Sequence, residues 1–154
     1  MRKFVATVLF SVTCAASAAA AGIEWGQFKI ASTGLSVQLP VTIFTEDGGP
    51  PEGIQGRTFL TKDHRADVTI KSVPNPENDS PRVFLEKMRP PSTIQYKRVT
   101  RDFFAVSSIR DGRTWYNRCN RAQGFMNCIL VNYPAAEDRH WDAIVTRISL
   151  SLAK

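Results

Sequence analysis

Cys119 and Cys128 stand at equal distance on either side of Gln123-Gly124, inside a run of segments that all read as strands. Phe103 to Arg110, Arg113 to Asn120 and Phe125 to Tyr133 follow one another with only short interruptions, and Thr93 to Thr100 precedes them. Asp111-Gly112 is a strong two-residue hairpin signal between the second and third of these four segments. Folding the chain back at Gln123-Gly124 sets the two cysteines directly opposite each other on neighbouring antiparallel strands. Side chains in such pairs have Cβ atoms about 4.5–5.5 Å apart, close to what a disulfide needs. An antiparallel meander with its register pinned by a Cys119–Cys128 bond is therefore the expected centre of the fold.

The beginning of the chain supplies the oxidising setting that such a bond requires. Arg2 and Lys3 precede an apolar stretch, Phe4 to Ala16, of 13 residues. Small residues follow, ending in Ala19-Ala20-Ala21. These are the three regions of a secretory signal peptide over residues 1–21, with cleavage expected before Gly22 to within about two residues. The apolar stretch is short for a membrane span, and Ser11-Val12-Thr13-Cys14 is a poor lipidation signal. Cys14 leaves with the signal, so an even pair remains, closing a loop of about ten residues that stabilises by roughly 2–3 kcal/mol on the chain-entropy model. Eight residues separate the pair, not the C-x-x-C of a redox motif. No second apolar run approaches a membrane span, so residues 22–154 read as one periplasmic or secreted domain. A mature chain of this size buries about two-thirds of its unfolded surface.

The remaining elements set the fold class. Gly22 to Gly34 reads as a lead-in carrying Trp25, Phe28 and Ile30. Leu35 to Leu39 alternates apolar and polar, the period of a half-buried strand, and Pro40 ends or bends it. Glu46 to Gly56, with four glycines and two prolines, reads as an exposed acidic loop. Arg57 to Thr61 and Ala66 to Val73 form a hairpin around Lys62 to Arg65. Ser80-Pro81 supplies an N-cap and a first-turn proline for a short helix carrying Val83, Phe84, Leu85 and Met88, stopped by Pro90-Pro91. Pro134 starts a closing helix, on which Trp141, Ile144, Val145, Ile148 and Leu152 form one apolar stripe. The expected class is α+β: an antiparallel sheet with a short middle helix and a C-terminal amphipathic helix packed on one face.

Several stretches also resemble a group of small exported proteins of unknown function from rhizobial-type alphaproteobacteria. They are Leu35 to Pro40, Tyr96 to Val99, Phe103 to Ser107, Tyr116 to Cys119, and the tail from Tyr133-Pro134 to Leu152. That resemblance implies a periplasmic setting and no particular activity. The element order resembles the Mog1/PsbP-like α+β fold, in which a lead strand ends in Leu-Pro and a final helix closes the domain. Proteins with that fold include binding and accessory proteins, which by analogy suggests such a role here.

Catalytic motifs are missing. The chain has no G-x-S-x-G, H-E-x-x-H, EF-hand or zinc spacing, and its only histidines are His64 and His140. Asp63, His64 and Asp67 lie close together but read as an ordinary polar turn, so no metal and no cofactor is expected. No catalytic residue is assigned. The distinctive chemistry is charge. Residues 82–121 hold ten Lys and Arg against three Asp and Glu, with Tyr96, Trp115 and Tyr116 interleaved. Arginine meets carboxylate or phosphate in a two-pronged fit, and aromatics stack on guanidinium planes. Arg98, Arg110, Arg113, Trp115, Tyr116 and Arg118 are the candidate binding residues, aimed at an anionic envelope component or an acidic protein. The alternative for these residues is a solvated sheet face whose charges guard against edge pairing. A nucleic-acid role does not fit an exported chain without a recognised module. The expected function is a non-catalytic binding or accessory protein. The alternatives are a small envelope hydrolase with an unrecognised site, or a purely structural or stress-related exported protein.

Overall fold

The computed structural model describes residues 22–153 apart from Ser92, so the signal peptide expected over residues 1–21 lies outside the described residues. β1 (Trp25–Ile30) and β2 (Leu35–Pro40) form a separate antiparallel hairpin. The main sheet has seven antiparallel strands in the order β3-β4-β5-β9-β8-β7-β6. These are β3 (Phe44–Gly49), β4 (Gln55–Thr61), β5 (Asp67–Pro74), β6 (Ile94–Val99), β7 (Phe103–Arg110), β8 (Arg113–Ala122) and β9 (Phe125–Pro134). Two helices complete the α+β fold, α1 (Pro81–Lys87) and α2 (Asp138–Ser151). Among the described residues no helix is long and apolar enough to cross a membrane.

The centre follows the sequence pattern. Asp111 and Gly112 turn with φ of 53° and 70°, the positive values that a two-residue hairpin turn demands. The turn at Gln123-Gly124 sets Cys119 opposite Cys128, with Cα atoms 4.1 Å apart, and the two are joined as a disulfide.

Strand alternation divides the sheet into two faces with separate cores. One face carries Val68, Ile70, Ile129 and Val131, covered by Leu35, Val37 and Leu39 of β2 and by the stripe of α2. All five stripe residues, Trp141, Ile144, Val145, Ile148 and Leu152, are buried. The opposite face carries Phe104, Val106, Met126 and the disulfide, covered by Phe84 and Leu85 of α1. The two helices thus lie on opposite faces, not together on one as the sequence reading expects, because Phe84 and Leu85 of α1 meet Phe104, Val106 and Met126, which alternate away from the Ile129 and Val131 side that α2 covers. α1 is started by the Ser80 hydroxyl, which accepts from the Val83 amide at 3.3 Å. It ends one turn before the Pro90-Pro91 pair, where Arg89 takes a φ of 51°.

Three local expectations are corrected. The lead-in is a strand: Trp25 to Ile30 pairs residue by residue with Pro40 to Leu35. Part of the expected acidic loop is also a strand, β3 at the sheet edge, interrupted by register shifts on either side of Glu46-Asp47. Its residues after Phe44 are mostly exposed, so it has no apolar alternation to read. The closing helix begins four residues after Pro134, because Ala135–Glu137 first form a 3-10 turn.

Candidate functional site: an arginine groove beside the closing helix

α2 and the β1–β2 hairpin cover only part of their face. On the same face, β6, β7 and β8 continue beyond α2 and leave a groove of about 410 Å³ between sheet and helix. Two rows of paired residues build its floor. Arg98 lies opposite Ala105, and Ala105 opposite Arg118. In the next row Tyr96 lies opposite Ser107, and Ser107 opposite Tyr116. The small residues Ala105 and Ser107 thus form a trough between arginine and tyrosine walls, and α2 adds Val145, Ser149 and Leu150.

The two guanidiniums converge on one ring. Arg118 lies 4.0 Å and Arg98 5.5 Å from the centroid of Phe103, an arrangement in which the ring face attracts cations. Arg118 donates from Nε to Asn120 Oδ1 at 3.0 Å and from Nη1 to Ser149 Oγ at 3.3 Å. Tyr116 shares a 2.6 Å hydrogen bond with the same serine. Among the described residues neither Arg98 nor Arg118 has a carboxylate within 4.0 Å, although seven other ion pairs form. Burial, with Arg98 close by, holds the Arg118 guanidinium below the usual arginine range, and burial pushes the Tyr116 hydroxyl above the usual tyrosine range. Burial, with Asp138 nearby, pushes Tyr133 at the groove's end up to about 12. At neutral pH the groove therefore presents two cations, the neutral phenols of Tyr116 and Tyr133, and one carboxylate, Asp142, on its α2 wall; the donors gathered at Arg98 and Arg118 are the part suited to an anion.

The six candidate binding residues do not lie together. Arg98, Tyr116 and Arg118 face the groove; Arg110, Arg113 and Trp115 lie on the disulfide face. Arg113 donates to the Arg65 carbonyl at 2.9 Å and to Asp67 at 3.3 Å, so it is engaged in the structure itself. Arg110 stacks 5.3 Å from the Trp115 ring centroid. Phe103, Ser149 and Leu150 complete the groove although sequence reasoning did not single them out. Leu150 carries the clearest signal: it lies off the apolar stripe of α2 and is 73% exposed. The polar turn at Asp63, His64 and Asp67 is occupied locally. Asp63 accepts from the Thr61 hydroxyl and the Arg65 amide, while Asp67 accepts from Asn132 and Arg113.

No protein-family model matches the chain, and no curated protein matches it. Among solved structures, the fold is similar to the solution structure of cyanobacterial PsbP (CyanoP) from Synechocystis sp. PCC 6803, with a TM-score of 0.61. The likeness covers 92% of this chain and 96% of that one at 8% sequence identity. It establishes a PsbP-like fold.

Proposed function

We propose that this is a non-catalytic binding or accessory protein of the bacterial envelope. Its Arg98–Arg118 groove holds an anionic group of an envelope component or an acidic protein. The carrying observation is the pair of arginines, gathered on Phe103 in a trough floored by Ala105 and Ser107, with no carboxylate partner among the described residues. Edge protection needs only scattered charges along the edge strand; here Arg98 of the edge strand β6 and Arg118 of the interior strand β8 share one groove. The exported setting rests on the signal-peptide pattern of residues 1–21, on the cysteine pair, and on the resemblance to small exported proteins. The accessory role is consistent with the PsbP-like fold, by analogy alone.

Binding of a polyglutamate peptide and of anionic phospholipid vesicles by the mature protein, at low and high salt, tests the reading. The double variant Arg98→Glu/Arg118→Glu is compared with Arg82→Glu/Arg101→Glu, which changes net charge equally at exposed positions outside the groove. The groove variant is expected to lose binding and the control to retain most of it, with added salt weakening the wild type. Equal loss in both variants would reduce the effect to overall charge and sink the proposal.

A further inference from the structure

The arginine groove has a second pole. Asp142, Val145, Thr146 and Ser149 line it from α2. They lie three, four and seven residues along from the first, so all four share one face of the helix. Asp142 and Ser149 are two turns apart, about 10 Å along the axis at 1.5 Å per residue. Ser149 marks the cationic end, where its hydroxyl accepts from Arg118 at 3.3 Å. Asp142 marks the other end together with Tyr133, whose cross-strand partner Thr114 donates to Asp138 at the start of α2.

Both poles are open to solvent and lack a partner of opposite charge. Asp142 is exposed and, among the described residues, has no cation within 4.0 Å. Arg98 is exposed too, and Arg118, half-buried, engages Nε and Nη1 and leaves Nη2 to the groove. These three are the only charged residues lining the groove, and the span between the poles is uncharged: Val145 and Thr146 on the helix, Ala105, Ser107 and Tyr116 on the sheet. A simple anion would occupy the arginine end alone. A chain of anions laid along the groove would meet the Asp142 carboxylate, which repels it. The arrangement complements a ligand with one negative and one positive end.

We infer that the groove's occupant is a short peptide with free ends. Its terminal carboxylate accepts from Arg98 and from Nη2 of Arg118, its terminal ammonium donates to Asp142, and its uncharged backbone fills the span between them. An extended chain covers about 3.3–3.6 Å per residue, so about three residues reach from one pole to the other. A single amino acid carries both charges on one carbon and reaches only one pole. The groove's 410 Å³ lies within the size range of small-ligand sites. This inference rests on the anion reading of the groove and deepens it, by adding a cation to the ligand and fixing its length.

Trialanine is the probe, with N-acetyl-trialanine as the anion-only control and trialanine amide as the cation-only one. Binding to the mature protein is followed at the Ser107 and Ser149 amides in a nitrogen-15 correlation spectrum. Trialanine is expected to move these signals saturably, with a Kd of about a millimolar for a ligand so small. The acetylated peptide should bind about threefold more weakly, the scale of an exposed ion pair. The amide should bind at least about tenfold more weakly, since it gives the arginines no carboxylate. Asp142→Asn should bring trialanine down to the acetylated peptide and leave the latter bound at least as tightly. Equal binding of trialanine and its acetylated form by wild type, or an unchanged ratio between them in Asp142→Asn, overturns the inference. The anion reading then survives if Arg98→Glu/Arg118→Glu abolishes the binding. Signals unmoved by all three peptides to about twenty times the expected Kd also overturn the inference, and the polyglutamate and vesicle measurements decide the anion reading on their own.

Discussion

Removing the Cys119–Cys128 bond should cost the protein a definite amount of stability. Both residues are fully buried on the α1 face, packed with Phe84, Leu85, Phe104, Val106 and Met126. The bond joins residues nine apart in sequence. For a loop of about ten residues the chain-entropy relation gives about 2.7 kcal/mol at 25 °C, contributed by restricting the unfolded chain. An ordered domain of about 130 residues has an unfolding entropy near 0.27 kcal/mol/K, so the loss corresponds to about 10 °C in Tm. The assay is thermal unfolding followed by circular dichroism on oxidised protein, on protein reduced in denaturant and refolded under reductant, and on Cys119→Ser/Cys128→Ser. Reduced protein should melt about 10 °C lower. The double variant should melt lower still, because hydroxyls enter an apolar core. A drop below about 3 °C on reduction would refute the loop argument. Alkylation and intact mass showing two free thiols in protein taken from the periplasm would refute the pairing itself.

Two further outcomes follow from local structure. Ser80→Ala removes the hydroxyl that accepts from the Val83 amide at the start of α1; it should cost about 1 kcal/mol in urea denaturation, and no measurable change would show that the cap carries no energy. Asp67 has its pKa raised above the ordinary carboxylate value of 3.8, chiefly by burial and against the lowering effects of Asn132 and Arg113. The folded state therefore binds this proton more tightly than the unfolded chain. The associated stability is fully present below the unfolded pKa and is lost as pH rises through the raised one. The stability of wild type relative to Asp67→Asn should fall as pH rises through and above the ordinary carboxylate value of 3.8; a constant or rising difference in urea midpoints would contradict that sign.

The parts of the fold legible in the sequence are those with local signals. The β7–β8–β9 meander is legible because Asp111-Gly112 and the cysteines around Gln123-Gly124 set each register from within a few residues. α2 is legible because an apolar stripe marks its buried side. β3 is not, since an exposed edge strand broken by register shifts carries no alternation. The pairing of β5 with β9 brings together Ile70 and Ile129, far apart in sequence, and nothing local announces it. The side taken by α1 is equally silent in its own residues. It follows from which strand positions, Phe104, Val106 and Met126, face the disulfide.

The groove shows how a site can be present in the sequence residue by residue and still be unreadable as a site. Arg98 and Arg118 are on one face only because of the turn between β6 and β7. The Thr100 hydroxyl accepts from the amides of Asp102 and Phe103, and the Thr100 amide donates to the Phe103 carbonyl at 2.8 Å. That turn sets Val99 opposite Phe104 and therefore Arg98 opposite Ala105, the residue that also faces Arg118. Strand side chains alternate with a period of two, so a turn one residue longer would swing Arg98 to the disulfide face and bring a neighbour into the groove in its place. The same parity separates Tyr116 from Trp115 although they are adjacent in sequence. Charge counted along residues 82–121 therefore mixes two surfaces with different chemistry. One is a trough whose two arginines have, among the described residues, no carboxylate within 4.0 Å; on the other, Arg110 stacks on Trp115 and Arg113 is held by Asp67. Composition locates the basic segment, but the turns decide which of its side chains share a face.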